Sequence, residues 1–217
     1  MGKILLLLLL AISLVLGQDP CKPFGVRIQY GESLINLNST EKIEISFNTY
    51  GKCGSSFVRV LGNSGFQQIS CKSNQIVASV NMNNFEAVVQ RCSLTNQISY
   101  GETFYYNVFG WDSTSGNDPV EGLKTWVDMK IASPTQFGGL MNILVLADWS
   151  VIEKTGFTPI NGLLRDVMIE KDIHLLMVNG DIAYDLDSNN GTNYIQFLSM
   201  AEEFISRIPT VFVPGNH

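Results

Sequence analysis

Five polar side chains follow three successive apolar runs in the C-terminal part of the sequence. They are, in chain order, Asp148, Asp181, Tyr184, Asn216 and His217. The carboxyl ends of neighbouring parallel strands lie at one edge of a sheet, so we expect these side chains to converge there. Carboxylate, phenol and amide oxygens are hard donors, and metal binding is the natural use of such oxygens together with one imidazole.

Each of these residues also has a purely structural explanation when it is taken alone. Asp148 could cap a helix, Asp181 could close a turn after a glycine, and Tyr184 could pack. Asn216 could occupy a left-handed turn position. Because the whole set coincides with three strand ends, the sequence favours a metal site.

Residues 141–217 have the pattern of a βαβαβ unit. Three continuous apolar runs, 142–147, 173–178 and 210–213, predict strands that are buried on both faces of a parallel sheet. Thr158-Pro159 predicts a helix start. The stripes of the two intervening helices are Ile160, Leu163, Leu164, Val167 and Met168, and then Tyr194, Phe197, Leu198, Ala201, Ile205 and Ile208.

Residues 18–132 have the pattern of a β-sandwich. The runs 26–30 and 43–48 alternate apolar and polar residues, which predicts half-buried strands with one wet face. Further strands are predicted at 57–61, 76–80, 87–89, 104–108 and 126–131. About seven short strands separated by turn residues indicate an immunoglobulin-like or fibronectin type III-like sandwich. Residues 133–140 break both patterns and are predicted to be a linker.

The first residues are predicted to be a secretory signal peptide. Residues 1–17 contain one lysine, a short apolar run and a final glycine, and cleavage is expected after Gly17. An uncleaved N-terminal anchor is the alternative. The mature chain is therefore expected outside membranes, secreted or in a lysosome or vacuole, with glycosylation acceptors at Asn38 and Asn190. In an oxidising compartment the four cysteines allow three disulfide pairings.

The charge of the chain excludes one class of partner. Its 217 residues include 14 basic and 20 acidic side chains, which gives a formal net charge of −6. A broad basic surface for a nucleic-acid backbone is therefore not expected. A phosphate ligand would have to be held by something other than the overall charge.

Three short motifs contain the five residues: Asp148-Trp149-Ser150, Gly180-Asp181-Ile182-Ala183-Tyr184 and Gly215-Asn216-His217. These motifs resemble the first three sequence blocks of the purple acid phosphatases, which are calcineurin-like metallophosphoesterases. The predicted sandwich is similar to the fibronectin-like N-terminal domain of that family. The resemblance implies that the chain is such a domain followed by the first βαβαβ part of the α/β metallophosphoesterase domain.

The same resemblance implies roles for the five residues. Asp148 and Tyr184 would bind Fe(III), and Asp181 would bridge it to a second divalent metal, either Zn, Mn or Fe. Asn216 would bind the second metal, and His217 would be catalytic and face the substrate phosphate. The implied reaction is hydrolysis of a small phosphate monoester by a metal-bound hydroxide at a dinuclear centre.

The sequence departs from the family pattern in two places. Ser150 stands where the first block has glycine, and the chain has only two histidines although the later family blocks supply three histidine ligands. His174 lies inside a predicted strand, which favours a structural role. We therefore expect this chain to be a fragment that is inactive on its own. The alternative is a catalytically inactive secreted protein whose sandwich is a binding module; the oligomeric state is left open.

Overall fold

The computed structural model describes most of the predicted elements. The described residues are 19–30, 43–51, 53–76, 87–94, 103–112, 116–122, 127–130, 142–151, 158–170, 173–184 and 191–216. The predicted signal peptide, the linker and both glycosylation acceptors lie outside these ranges. Within the described ranges, none of the helices is long and apolar enough to span a bilayer.

The N-terminal part contains nine described strands. In chain order they are β1 (Phe24–Tyr30), β2 (Ile43–Thr49), β3 (Ser55–Gly62), β4 (Gly65–Ser70), β5 (Lys72–Ile76), β6 (Ala87–Ser93), β7 (Thr103–Trp111), β8 (Val120–Glu121) and β9 (Val127–Lys130). They form two sheets, with the orders β1-β2-β6-β5 and β4-β3-β7-β8, and β9 also pairs with β7. All of these pairings are antiparallel.

One apolar core lies between the two sheets. Its largest fully buried side chains include Phe47 from the first sheet and Phe104 and Tyr106 from the second. Two disulfides, Cys21–Cys53 and Cys71–Cys92, settle the pairing that the sequence left open. The predicted sandwich is confirmed as two facing antiparallel sheets, and its similarity to fibronectin type III domains stays a prediction.

The strand prediction was wrong at edge strands of both sheets. Strand β4 was missed. It is an exposed edge strand whose sequence, GFQQIS, does not alternate apolar and polar residues. The predicted strand 76–80 is replaced by β5, which ends at Ile76, and residues 77–80 lie outside the described ranges.

The C-terminal part contains two helices and five strands in the described residues. They are β10 (Ile143–Leu146), β11 (Trp149–Ser150), α1 (Thr158–Glu170), β12 (Leu175–Asn179), β13 (Ile182–Ala183), α2 (Thr192–Ile205) and β14 (Thr210–Val213). The strands β10, β12 and β14 form one parallel sheet in that order. The short strands β11 and β13 pair in parallel just beyond it. The predicted βαβαβ unit is therefore present.

Both helices pack on the same face of this sheet. Leu164 from α1 and Phe204 from α2 share one core cluster with Leu176 from β12. The other face is partly open, with Val145 57% exposed and Ile143 47% exposed. The prediction that these strands are buried on both faces was therefore wrong for β10, because both crossovers place their helices on one side.

Helix α2 also packs against the sandwich. A side-chain carbon on Gly25 of β1 would lie 2.8 Å from the Cβ of Leu198, so glycine is required for this close approach. The backbone N–H of Val26 donates to Glu202 Oε2 over 2.9 Å. Asn48, which was predicted to lie on a wet face of β2, is buried at this boundary. Helix packing therefore covers strand positions that the alternation had indicated as solvent-facing.

Candidate metal centre

The loops that follow β10, β12 and β14 lie at one edge of the parallel sheet. The register pairs Leu146 with Val178 and Asn179 with Val213, so the three strands end side by side. The predicted metal ligands follow these ends and come from all three loops. The structure thus brings Asp148, Asp181, Tyr184 and Asn216 to the same sheet edge, and His217 lies outside the described residues.

Backbone strain is concentrated in these loops. Among the described residues, four that are not glycine have a positive φ: Asp148 (57°), Asp181 (30°), Ala183 (61°) and Tyr184 (49°). The left-handed region costs about 1–3 kcal/mol for each such residue and persists only where neighbouring structure enforces it. Strain of this kind marks a functional loop more often than a packing loop.

The side chains of Asp148 and Tyr184 are in direct contact. The Tyr184 hydroxyl donates a hydrogen bond to Oδ1 of Asp148. This hydrogen bond, with desolvation and the charges of Asp148 and Asp181, raises the pKa of Tyr184 to about 12. The phenol therefore keeps its proton at neutral pH unless a cation takes the place of that proton between the two oxygens.

Asp181 is fixed by the loop that follows β14. Its Oδ1 accepts the backbone N–H of Asn216 over 3.0 Å. The preceding residue, Gly180, has a φ of 82° and donates its N–H to the Val213 carbonyl over 2.9 Å. A side chain on Gly215 would overlap the carboxylate and the backbone nitrogen of Asp181. The two loops therefore pack backbone against backbone.

The residue after Asp148 anchors the first loop in the core. Trp149 is fully buried, stands edge-on to Phe197 at 5.3 Å between ring centroids, and donates Nε1–H to Asn161 Oδ1 over 3.1 Å. Ser150 follows in β11, pairs with Ala183 of β13 and is not among the described residues with positive φ. A serine in place of the family glycine is therefore accommodated without backbone strain.

His174 lies away from the other predicted residues. It is buried just before β12, at the opposite end of that strand from Asp181, and its Nδ1 accepts the backbone N–H of Asn142 over 2.9 Å. This position agrees with the structural role predicted for it. In the described part of the chain, no three His, Cys, Asp or Glu side chains are grouped so that they could hold a metal ion.

The donors that are present fit a hard cation of high charge. Two oxygens, from Asp148 and Tyr184, already share one proton, and Asp181 is close enough to raise the pKa of that phenol. Replacing the proton by a cation would satisfy both oxygens and relieve the repulsion between the two carboxylates and a phenolate. Carboxylate and phenolate oxygens suit such an ion.

Comparison with known proteins gives a family-model match and a structural similarity. Residues 141–217 match the family model of the calcineurin-like phosphoesterases. This part of the chain is therefore similar to that family. It is also similar to the solved structure of purple acid phosphatase PPD1 from yellow lupin (Lupinus luteus) seeds, with a TM-score of 0.69 and 14% sequence identity. That match covers 92% of this chain and 36% of the lupin chain.

The structural match confirms the purple acid phosphatase resemblance at the level of the fold. The chain spans about a third of the length of the lupin protein. A second solved structure, amylomaltase from Corynebacterium glutamicum, has a TM-score of 0.22 and 11% identity over 64% of this chain and 20% of its own, which is too low to indicate a shared fold. A sequence search of curated proteins found no match.

The sequence analysis assigned no role to the residues that support the predicted ligands. Asn161 accepts the hydrogen bond of the Trp149 side chain. Gly215 has no side chain and so leaves room for Asp181. Asn193 Nδ2 donates to the Tyr184 carbonyl over 3.3 Å. Only Gly215 had a sequence signal, because it lies inside one of the three motifs. The two asparagines lie on helices, where a single polar residue carries no pattern.

Proposed function

We propose that this protein is a metal-dependent phosphoesterase of the purple acid phosphatase type, which hydrolyses small phosphate monoesters at a dinuclear centre. The observation that carries the proposal is the contact between the Tyr184 hydroxyl and the Asp148 carboxylate, made by two residues in left-handed conformation. The match of residues 141–217 to the calcineurin-like phosphoesterase family supports it.

The residues have distinct proposed roles. Asp148 and Tyr184 would hold Fe(III), since only a strong Lewis acid removes the proton of a phenol whose pKa is raised to about 12. Asp181 would bridge to a second divalent ion, Zn, Mn or Fe, and Asn216 would be a ligand of that ion. When bound, such a pair of metals polarises the ester, activates a water molecule and stabilises the leaving oxygen.

The chain itself would contribute orientation. Asp181 is held by the Asn216 N–H and by the close approach of Gly215, so its carboxylate has a fixed direction. His217 follows directly and is proposed to face the substrate phosphate and to stabilise its charge. Because the chain has a net charge of −6, attraction of an anionic ester would depend on the bound metals.

The test is phosphatase activity of the full-length natural protein. We expect hydrolysis of an aryl phosphate at mildly acidic pH after loading with iron and zinc, and loss of this hydrolysis in Asp148→Asn. The segment 18–217 alone should show no turnover, since the family resemblance calls for histidine ligands that it does not contain. Turnover by that segment equal to the full-length rate would contradict the assigned ligand set.

One observation favours a second candidate, a catalytically inactive protein with a binding sandwich. Leu61 of β3 lies between Phe66 of β4 and Tyr105 of β7, and Phe66 is 60% exposed. Adjacent exposed apolar side chains are typical of interaction surfaces. A full-length protein that neither retains iron nor hydrolyses an aryl phosphate would favour this candidate.

We also propose that the protein is secreted or lysosomal. The two disulfides are consistent with folding in an oxidising compartment. Cleavage of the signal peptide 1–17 and glycosylation at Asn38 and Asn190 complete this proposal. Mass spectrometry of the protein isolated from its source would test both modifications directly.

A further inference from the structure

The first turn of α2 reaches back to the proposed iron ligand Tyr184. Asn193, the second residue of the helix, donates from Nδ2 to the Tyr184 carbonyl over 3.3 Å. Helix α2 has no side-chain cap hydrogen bond at its N-terminus, where Gly191 has a φ of 77°. The Asn193 side chain thus contacts the backbone of the ligand residue.

The neighbouring residue ties the same turn to the sandwich. The Tyr194 hydroxyl donates to Oδ1 of Asn48 over 3.1 Å. Asn48 is fully buried in β2, and its Nδ2 also contacts the Phe24 carbonyl at 3.5 Å. Burial raises the pKa of Tyr194, which keeps its hydroxyl protonated as a donor. A continuous path therefore runs from the sandwich through two adjacent helix residues to Tyr184.

Two other hydrogen bonds of this region, near the C-terminal end of α2, do not reach the site. Glu202 accepts the Val26 N–H in the last turn of the helix. At its C-terminal end the hydroxyl of Tyr106 donates to the Ser206 carbonyl. Of these three hydrogen bonds, the one from Asn193 ends at a non-glycine residue with positive φ, Tyr184 (49°), and such a conformation needs neighbouring contacts that enforce it.

We propose that Asn193 and the Tyr194–Asn48 hydrogen bond are positioning elements through which the sandwich fixes the ligand Tyr184. The sandwich would then be part of the machinery of the site, although it contributes no metal ligand. This inference rests on the proposed function for its spectroscopic test. It also makes a prediction for the metal-free protein, which does not depend on that function.

The spectroscopic test uses the full-length natural protein loaded with iron. Asn193→Ala and Tyr194→Phe should shift the tyrosinate-to-iron absorption band and weaken iron binding by about tenfold, a usual effect of losing a residue that orients a ligand. Asn193→Gln keeps an amide donor and should recover part of the wild-type band. The variant that carries both Asn193→Ala and Tyr194→Phe should bind iron no more weakly than the more affected single variant. Both substitutions interrupt the same chain of contacts, so their effects should not add.

Tyr106→Phe is the matched control. It removes a buried hydroxyl that donates to a carbonyl at the other end of the same helix. It should lower the melting temperature without moving the band. If it shifts the band as much as Tyr194→Phe does, the effect is a general loosening of the boundary and the positioning role is wrong.

The second test uses amide hydrogen exchange in the metal-free protein. Peptides that cover 180–184 should exchange faster in Asn193→Ala and Tyr194→Phe than in wild type, and at the wild-type rate in Tyr106→Phe. Unchanged exchange in the first two variants would overturn the inference. A wild-type protein that binds iron without the absorption band would contradict the proposed function, and the exchange result would still decide the positioning role.

Discussion

Gly215 lies directly against Asp181. A side-chain carbon at position 215 would overlap Oδ1 and the backbone nitrogen of Asp181 and would lie 3.1 Å from its Cγ. Since no real Cβ approaches a backbone nitrogen so closely, one of the two loops would have to move. The carboxylate of Asp181, the proposed bridge, can therefore occupy its position only because residue 215 is glycine.

Gly215→Ala should accordingly damage the site. The added methyl group would push Asp181 away from the Asn216 N–H, which donates to it over 3.0 Å. We expect about tenfold weaker metal binding, as for loss of an orienting partner. Elemental analysis of the full-length protein after dialysis would measure this, and full retention of both metals would contradict the steric argument.

Gly162→Ala is the control for the glycine substitution. Gly162 lies on α1 with nothing within 4 Å of an added Cβ. Alanine in a helix is about 1 kcal/mol more favourable than glycine, so this variant should be slightly more stable. Its metal content should equal that of the wild type.

The Asp181→Asn variant should retain less metal than the Asp148→Asn variant. Asp181 is proposed to touch both ions, whereas Asp148 is proposed to touch only one. A neutral amide at the bridge would leave two cations repelling each other without the intervening negative charge. We expect loss of both metals in Asp181→Asn and retention of more metal in Asp148→Asn. Equal metal content in the two variants would show that Asp181 is not a bridge.

Much of the sheet edge could be predicted because it depends on local patterns. The apolar runs before Asp148 and Asp181 are continuous, and parallel pairing brings the ends of such strands together. Strand β14 (Thr210–Val213) has the predicted bounds. These features need only the sequence of each run and the general geometry of parallel sheets.

The supporting contacts could not be predicted because they join distant segments. Asn48 alternates with apolar residues as a solvent-facing strand residue would, and its burial depends on a helix 146 positions later in the chain. The exposed face of β10, including Val145, depends on both helices packing on the other side. Neither the burial of Asn48 nor the exposure of Val145 can be predicted from the local spacing of apolar residues.

Tyr184→Phe should remove the colour of the iron-loaded full-length protein. The proposed band arises from charge transfer between tyrosinate and Fe(III), and phenylalanine lacks the oxygen that makes the bond. Only one hydroxyl is lost, and it contacts an exposed carboxylate, so the fold should survive. Absorption spectroscopy with a circular dichroism melt checks both parts. A colourless wild-type protein with bound iron would rule out the tyrosinate assignment.

Glu202 should make the boundary between helix α2 and the sandwich more stable at acidic pH. Burial raises the pKa of its carboxyl above the ordinary 4.5, although backbone N–H groups of Val26 and Gly25 oppose this by hydrogen bonding to the carboxylate. The folded protein then binds this proton more tightly than the unfolded chain does. The resulting stability is fully present below pH 4.5 and is lost as the pH rises through the higher folded pKa.

Glu202→Gln tests this pH dependence without removing the acceptor. The glutamine carbonyl can still accept the Val26 N–H, but it does not have to lose a proton. Urea unfolding measured from pH 4.5 upward should show a smaller fall in the free energy of unfolding for the variant than for the wild type. Glu203→Gln is the control. The exposed side chain of Glu203 pairs with Arg165, which lowers the pKa of the Glu203 carboxyl. The contribution of Glu203 to the free energy of unfolding therefore changes with pH in the opposite direction. If Glu202→Gln follows the wild-type curve throughout, the buried carboxyl does not carry the effect, and another titrating group at this boundary must be sought.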